Sequence, residues 1–323
     1  MDRIRKALDL ARLERAQAAN LPPAASASRE EALPATADDF IAELLANEPA
    51  AAKPAPDETG ETRPVATAPA ATEPSPTSSA STITAATSSP REIEYTCTRT
   101  FAPAAPILER NRVLNPGSAE PAAVAFRMLR TQVLQRMDAH GWRTLAVFSP
   151  GAKDGKSTTA INLAVTLASD RLHTALLVEF DFKRPTLTAR LGFAPEFGSD
   201  DALSDRAELQ DCLYHPDGFE RLTLMPARAA LHDSSEILAG PRSRRIVNEL
   251  RARYPDRIVI FDLPPVLTAD DALAFAPLVE CGLVVAAEGR TRRTDLVRTI
   301  ELLAKTSLVG TVLNRASEAL AGY

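Results

Sequence analysis

The sequence predicts an α/β protein built on a doubly wound, mostly parallel sheet, preceded by a long N-terminal region that lies outside the fold. Three observations carry this prediction. Short apolar runs follow one another at 143–149, 174–180, 221–227, 257–262, 282–288 and 308–314. Helical patterns separate most of them, at 156–169, 236–253, 269–276 and 293–305. Alternation of this kind marks a parallel sheet covered on both faces. The third observation is composition: Phe40 is the only aromatic residue before position 91, and Gly60 the only glycine before Gly117.

The elements follow in order. The first 18 residues read as a short helix, with Ile4, Ala7, Leu8 and Ala11 on one face, and residues 38–46 as a second. Both are too short to be stable alone, so 1–46 is either a pair of fraying helices or a docking segment. Residues 47–90 are rich in Ala, Pro, Ser and Thr, with too little large apolar surface to offset the entropy of ordering. They are expected to be a disordered linker. The ordered domain is then 91–323. It opens with an extended lead-in over 91–118 and a helix over 119–139, whose Phe126, Leu129, Val133 and Met137 share a face. Trp142 is expected to pack this helix against the sheet. Thr268 followed by Asp271 reads as a capping box with Asp in place of Glu.

The net charge of −5 argues against general nucleic-acid binding. Cys97, Cys212 and Cys281 show no paired spacing, which fits a reducing cytosol, and the four histidines form no metal pattern. No uncharged apolar stretch reaches about 18 residues, so no membrane span is expected. A cytoplasmic protein follows, brought to the inner membrane face only by a partner.

The chemistry concentrates after the strand at 143–149. There "SPGAKDGKST" leads directly into the helix at 156–169. A strand, a glycine-bearing loop and a helix N-terminus make a phosphate cradle. Gly151 and Gly155 let backbone N–H groups turn inward, Lys156 supplies a cation for the phosphates, and the Ser157 hydroxyl can ligate Mg²⁺. Thr158 is the next polar group in the first turn. Pro150 occupies the first glycine slot of the usual spelling. Lys153 and Asp154 complete the loop, with Lys153 directed at a phosphate or at solvent. Two further strands end in acids: Glu179 and Asp181 in "EFDFKRP", and Asp262 in "DLPP". Carboxylates at the ends of buried strands call for a cation or a hydrogen-bonding partner. Glu179 and Asp181 are two residues apart and point the same way on an extended chain, with Phe180 and Phe182 opposite.

The phosphate loop, the acidic motif over Glu179–Pro185 and the motif over Asp262–Pro265, in that order, resemble the bacterial P-loop tyrosine kinases of capsular and exopolysaccharide biosynthesis. "FRMLRTQVLQRMDAHGWRTLAV", "SSEILAGPRSRRIVNELRARYPDRIVIFDLPP" and "GTVLNR" extend the resemblance over about 91–316. The fold is shared with MinD- and ParA-type ATPases, so the resemblance implies a P-loop NTPase domain.

It also implies ATP and Mg²⁺ as cofactors, with Lys156 and Ser157 on the phosphates and Asp181 and Asp262 completing the metal site. Glu179 takes the position of the family's candidate base, one methylene longer, and Asn314 that of a residue reading the adenine edge. Where the family's oligomerisation helix carries E-x-x-R-x-x-R, this chain has Val124, Arg127 and Arg130, which bears on a homo-oligomer. Tyr323 is the only tyrosine near the end and therefore the acceptor candidate, nine residues beyond Asn314. The implied partner is a membrane chain-length-determinant or activator protein. The alternatives are an ATP-binding switch of the polysaccharide machinery without kinase activity and, below it, a non-enzymatic scaffold.

Overall fold

In a computed structural model, residues 98–253 and 256–317 are described. The expected helices in 1–46, the linker 47–90, Cys97 and Tyr323 lie outside the described residues. Eight strands form one sheet: β1 (Arg99–Phe101), β2 (Thr144–Phe148), β3 (Thr174–Glu179), β4 (Tyr214–Pro216), β5 (Leu222–Met225), β6 (Arg257–Asp262), β7 (Cys281–Ala287) and β8 (Leu308–Asn314). Their order is β1-β4-β5-β3-β6-β2-β7-β8, and every pairing is parallel except that of β4 with β5. The carboxyl ends of β2, β3, β6, β7 and β8 therefore share one edge. Register places Glu179 beside Asp262, Asp262 beside Val147, and Ala287 beside Asn314.

The helices are α1 (Ala105–Arg110), α2 (Pro121–His140), α3 (Lys156–Ala168), α4 (Leu187–Leu191), α5 (Ser199–Leu203), α6 (Ser234–Ala239), α7 (Pro241–Arg253), α8 (Asp271–Phe275) and α9 (Arg293–Leu302). Helix α3 is buried along almost its whole length, in keeping with the apolar run from Ala160 to Ala168. It packs on β3 and β6 on one side and on α2 on the other. Asn162 of α3 holds the lead-in: its side chain accepts from the Leu114 N–H (2.9 Å) and donates to the Arg112 carbonyl (2.8 Å). Behind the site, Phe180, Phe182, Phe261 and Phe275 form an aromatic cluster with centroids 4.9–5.5 Å apart.

Several expected boundaries change. The lead-in contains β1 at the sheet edge and α1, where an extended segment was expected. The helix expected at 236–253 is two, because Pro241 starts a new helix after Gly240. The capping box does not form. Thr268 donates its hydroxyl to the Pro265 carbonyl (3.2 Å), and Asp270 occupies the N-cap of α8. Asp271 turns inward instead, fully buried, and accepts from the Ser234 hydroxyl of α6. Trp142 packs against the core as expected and stacks on His140.

Candidate active site at the carboxyl edge of the sheet

The loop between β2 and α3 is shaped by its own residues. Gly155 has φ +97°, a left-handed conformation that favours glycine, and its carbonyl begins the hydrogen bonding of α3. Asp154 is buried, and its carboxylate accepts the Gly151 N–H at 2.8 Å. Asp154 thus closes the loop on itself. Lys153 is exposed with φ +69°, at the rim of the groove above the loop.

Lys156 is buried and joins the two acidic motifs. Its Nζ is ion-paired with Asp262 and lies 3.4 Å from Asp181 and 3.3 Å from the Ser157 hydroxyl. Burial pushes the Asp181 carboxyl above its ordinary range, the Lys156 ammonium opposes that, and the Asp262 charge adds to it. A groove of about 490 Å³ opens above these groups. Its lining holds Lys153, Lys156, Lys183, Arg184, Arg190 and Arg315 against a single carboxylate, Asp181. Such a wall suits a polyanion. Thr158 faces the groove and accepts from Arg190 at 3.1 Å. Arg190 carried no motif, which is why the sequence reading missed it.

Glu179, the candidate base, is held by backbone donors. One oxygen accepts the N–H groups of Thr186 (2.5 Å) and Leu187 (2.8 Å), and the other accepts the Ala227 N–H (3.1 Å). The side chain is buried and absent from the groove wall, so it ties the loops after β3 and β5 together. Burial raises its pKa from the usual 4.5 to about 7, with the three N–H donors opposing the rise. The folded protein therefore keeps a proton that the unfolded chain releases near 4.5. Between those values the folded state binds more protons, so stability falls as pH rises. Chemical denaturation should show a loss of about 3 kcal/mol from pH 4.5 to 7, from 1.36 kcal/mol per pKa unit. Glu179→Gln should flatten that slope; a parent with no slope in this window contradicts it.

Asn314, the candidate adenine-reading residue, has protein partners for its amide. Its amide donates to the Asp154 carbonyl at 2.9 Å, and its Oδ1 accepts the Arg315 N–H at 2.9 Å. The residue still borders an apolar cavity of about 360 Å³ lined by Phe126, Leu129, Thr159 and Val312. On α2, Arg127 donates to the Ser118 carbonyl and Arg130 to the Thr166 carbonyl, both within the chain, while Val124 is exposed. Tyr214 is buried, and its hydroxyl is occupied by the backbone of Glu196 and Phe197.

No protein-family model matches the chain. It is 30% identical over 216 residues to the succinoglycan biosynthesis transport protein ExoP of Rhizobium meliloti, covering 65% of this chain and 27% of that protein. The chain therefore spans about a quarter of the length of that relative. It is 25% identical over 191 residues to the tyrosine-protein kinase YwqD of Bacillus subtilis, covering 58% of this chain and 79% of the relative. Among solved structures, the BceF tyrosine kinase domain matches with a TM-score of 0.54 at 26% identity, over 68% of this chain and 83% of that one. Among the described residues, no helix is long and apolar enough to cross a membrane.

Proposed function

The chain belongs to the bacterial P-loop tyrosine-kinase family, and we propose that it transfers the γ-phosphoryl group of ATP to a tyrosine hydroxyl within an exopolysaccharide-producing system. The observation that carries this reading is the buried Lys156 ammonium, held between Asp181 and Asp262 at the foot of a cationic groove. The phosphates of ATP would lie along the loop from Gly151 to Thr158. The apolar cavity beside Asn314 has the size and lining for a purine.

Two carboxylates and one hydroxyl fit a hard cation that keeps water and phosphate ligands. Ser157, Asp181 and Asp262 are the residues that would hold Mg²⁺, which would neutralise charge on the transferring phosphate. Lys156 already sits among these carboxylates, so the same pocket tolerates positive charge. Asp181 reaches the groove wall with one carboxylate oxygen near the Lys156 ammonium (3.4 Å) and the other accepting the Arg184 N–H (3.1 Å), which suits a metal-holding, charge-balancing role. The acceptor is Tyr323 of this chain or of a neighbouring copy. A membrane protein of polysaccharide export, acting from the cytoplasmic face, is the proposed activator.

Incubation of the full chain with Mg²⁺ and ATP tests the reading, with intact mass, tyrosine mapping and free phosphate as readouts. A single added phosphate, lost in Tyr323→Phe, is the expected result. Free phosphate with no modified tyrosine, with and without the activator's cytoplasmic segment, would replace the kinase with a nucleotide switch.

A further inference from the structure

Three consecutive carbonyls of the phosphate loop accept hydrogen bonds from side chains that arrive from the end of β8 and from the segments after β7 and β8. Arg290, after β7, donates to the Ala152 carbonyl through Nε (3.4 Å) and Nη2 (3.2 Å). Arg315, after β8, donates to the Lys153 carbonyl at 3.1 Å. Asn314 donates to the Asp154 carbonyl at 2.9 Å. The two supporting loops are themselves joined. The Glu288 N–H donates to the Asn314 carbonyl at 2.9 Å, and the Ser317 N–H donates to the Glu288 carboxylate at 2.5 Å.

A trans peptide unit is planar, so the carbonyl of one residue and the N–H of the next point in opposite directions. Every peptide here is trans among the described residues. Holding the carbonyls of Ala152, Lys153 and Asp154 therefore fixes the N–H groups of Lys153, Asp154 and Gly155, each pointing away from the donor on the preceding carbonyl. The turn at Ala152–Lys153 brings the Asp154 N–H toward the Gly151 carbonyl, while no acceptor among the described residues meets the N–H groups of Lys153 and Gly155. The adjacent Gly151 N–H is different, because the Asp154 carboxylate accepts it. The conformation is not one that Lys153 adopts freely: its φ of +69° is unfavourable for a residue with a side chain. Arg315, itself at φ +62°, makes the contact that holds it there.

We propose that Arg290, Arg315 and Asn314 are positioning residues for phosphoryl transfer, orienting the loop amides that bind the phosphates of ATP. The inference rests on the nucleotide reading of the groove given above. It gives the two arginines a role on the loop itself: Arg290 also lies 3.6 Å from the Asp154 carboxylate, and Arg315 also lines the groove. Side-chain donors to charged or strongly polarised acceptors contribute more than neutral pairs, but exposure to water reduces the gain. Arg290 is 46% exposed, so its removal should leave the core intact.

The test compares Arg290→Met, Arg315→Met, the double variant and Arg298→Met in the full chain, with MgADP as the probe in titration calorimetry. Arg298 lies on the exposed side of α9 and controls for loss of one positive charge. About a fivefold weaker Kd is expected for each single variant and about thirtyfold for the double, with Arg298→Met within twofold of the parent. Arg290→Lys keeps the charge but not the fork and should recover only part of the loss. Carbonyl ¹³C shifts of Ala152 and Lys153, recorded without nucleotide, should move in the variant that removes the matching donor. A double variant that binds MgADP like the parent, or an equal loss in Arg298→Met, overturns the proposal. A parent that binds no MgADP removes the nucleotide reading instead. In that event the carbonyl shifts decide the brace alone: movement supports it and unchanged shifts overturn it.

Discussion

Lys156→Met is expected to reduce phosphoryl transfer at least about a thousandfold, because preorganised charge at the transferring phosphate supplies much of such catalysis. Met nearly preserves the volume of the side chain, so the packing around it changes little. The electrostatics change more. In the parent, the ammonium lies between Asp262 and Asp181 in a nearly dry pocket. Without it, two buried carboxylates face each other with no cation, and breaking a buried pair in this way costs about 3–5 kcal/mol. The Asp181 carboxyl, already raised by burial and no longer opposed by the ammonium, then takes up a proton more readily. The folded variant then binds a proton that its unfolded chain releases, so its stability falls as pH rises. The melting temperature of Lys156→Met should therefore approach that of the parent at pH 5 and fall clearly below it at pH 8. Autophosphorylation is read in parallel by intact mass. A variant labelled like the parent would remove Lys156 from the chemistry, and a variant with the parent's pH profile would remove it from the ion-pair cluster.

The central strands and α3 were legible because they are buried on both faces, which writes itself as continuous apolar runs from Leu145 to Phe148 or Ile258 to Phe261. β1, at the sheet edge, and β4, between β1 and β5, were not, since three residues each leave no periodicity to read. Gly240 followed by Pro241 divides α6 from α7, yet the apolar positions on either side keep one helical spacing and conceal the break. Asp271 misled for another reason. A capping pattern is local, whereas the partner that claims its carboxylate, Ser234, is 37 residues away on a different helix.

The same distinction divides the site. Gly151, Gly155, Lys156 and Ser157 are close in sequence and act together, so their spacing exposes them. Asp181 and Asp262 were identifiable as acids at strand ends, and the parallel sheet brings those ends to one edge. Glu179 carried the same signature, but the N–H groups that occupy it belong to Thr186, Leu187 and Ala227, and only the folded loops supply them. Arg290 and Arg315 contact the phosphate loop across 138 and 162 residues, a distance no motif spans.

Gly155→Ala is expected to weaken MgADP binding by more than about a hundredfold, a larger effect than removing either arginine. Two costs add. At φ +97° an L side chain is strained by roughly 1–2 kcal/mol. The new Cβ would also lie 1.8 Å from Asn314 Nδ2 and 3.0 Å from its Cγ, so the amide must leave. Its departure breaks the bond to the Asp154 carbonyl and frees the peptide that carries the residue 155 N–H. The alternative, a shift of the loop itself, moves Lys156 relative to Asp181 and Asp262. The double variant Gly155→Ala/Asn314→Ala separates the two costs. It removes the collision but keeps the strained φ and the lost donor, so it should recover stability more than nucleotide affinity. Recovery of both would assign the whole effect to the collision and leave the Asn314 bond without a role in binding. A Gly155→Ala chain that binds MgADP like the parent would show that the loop does not need this geometry.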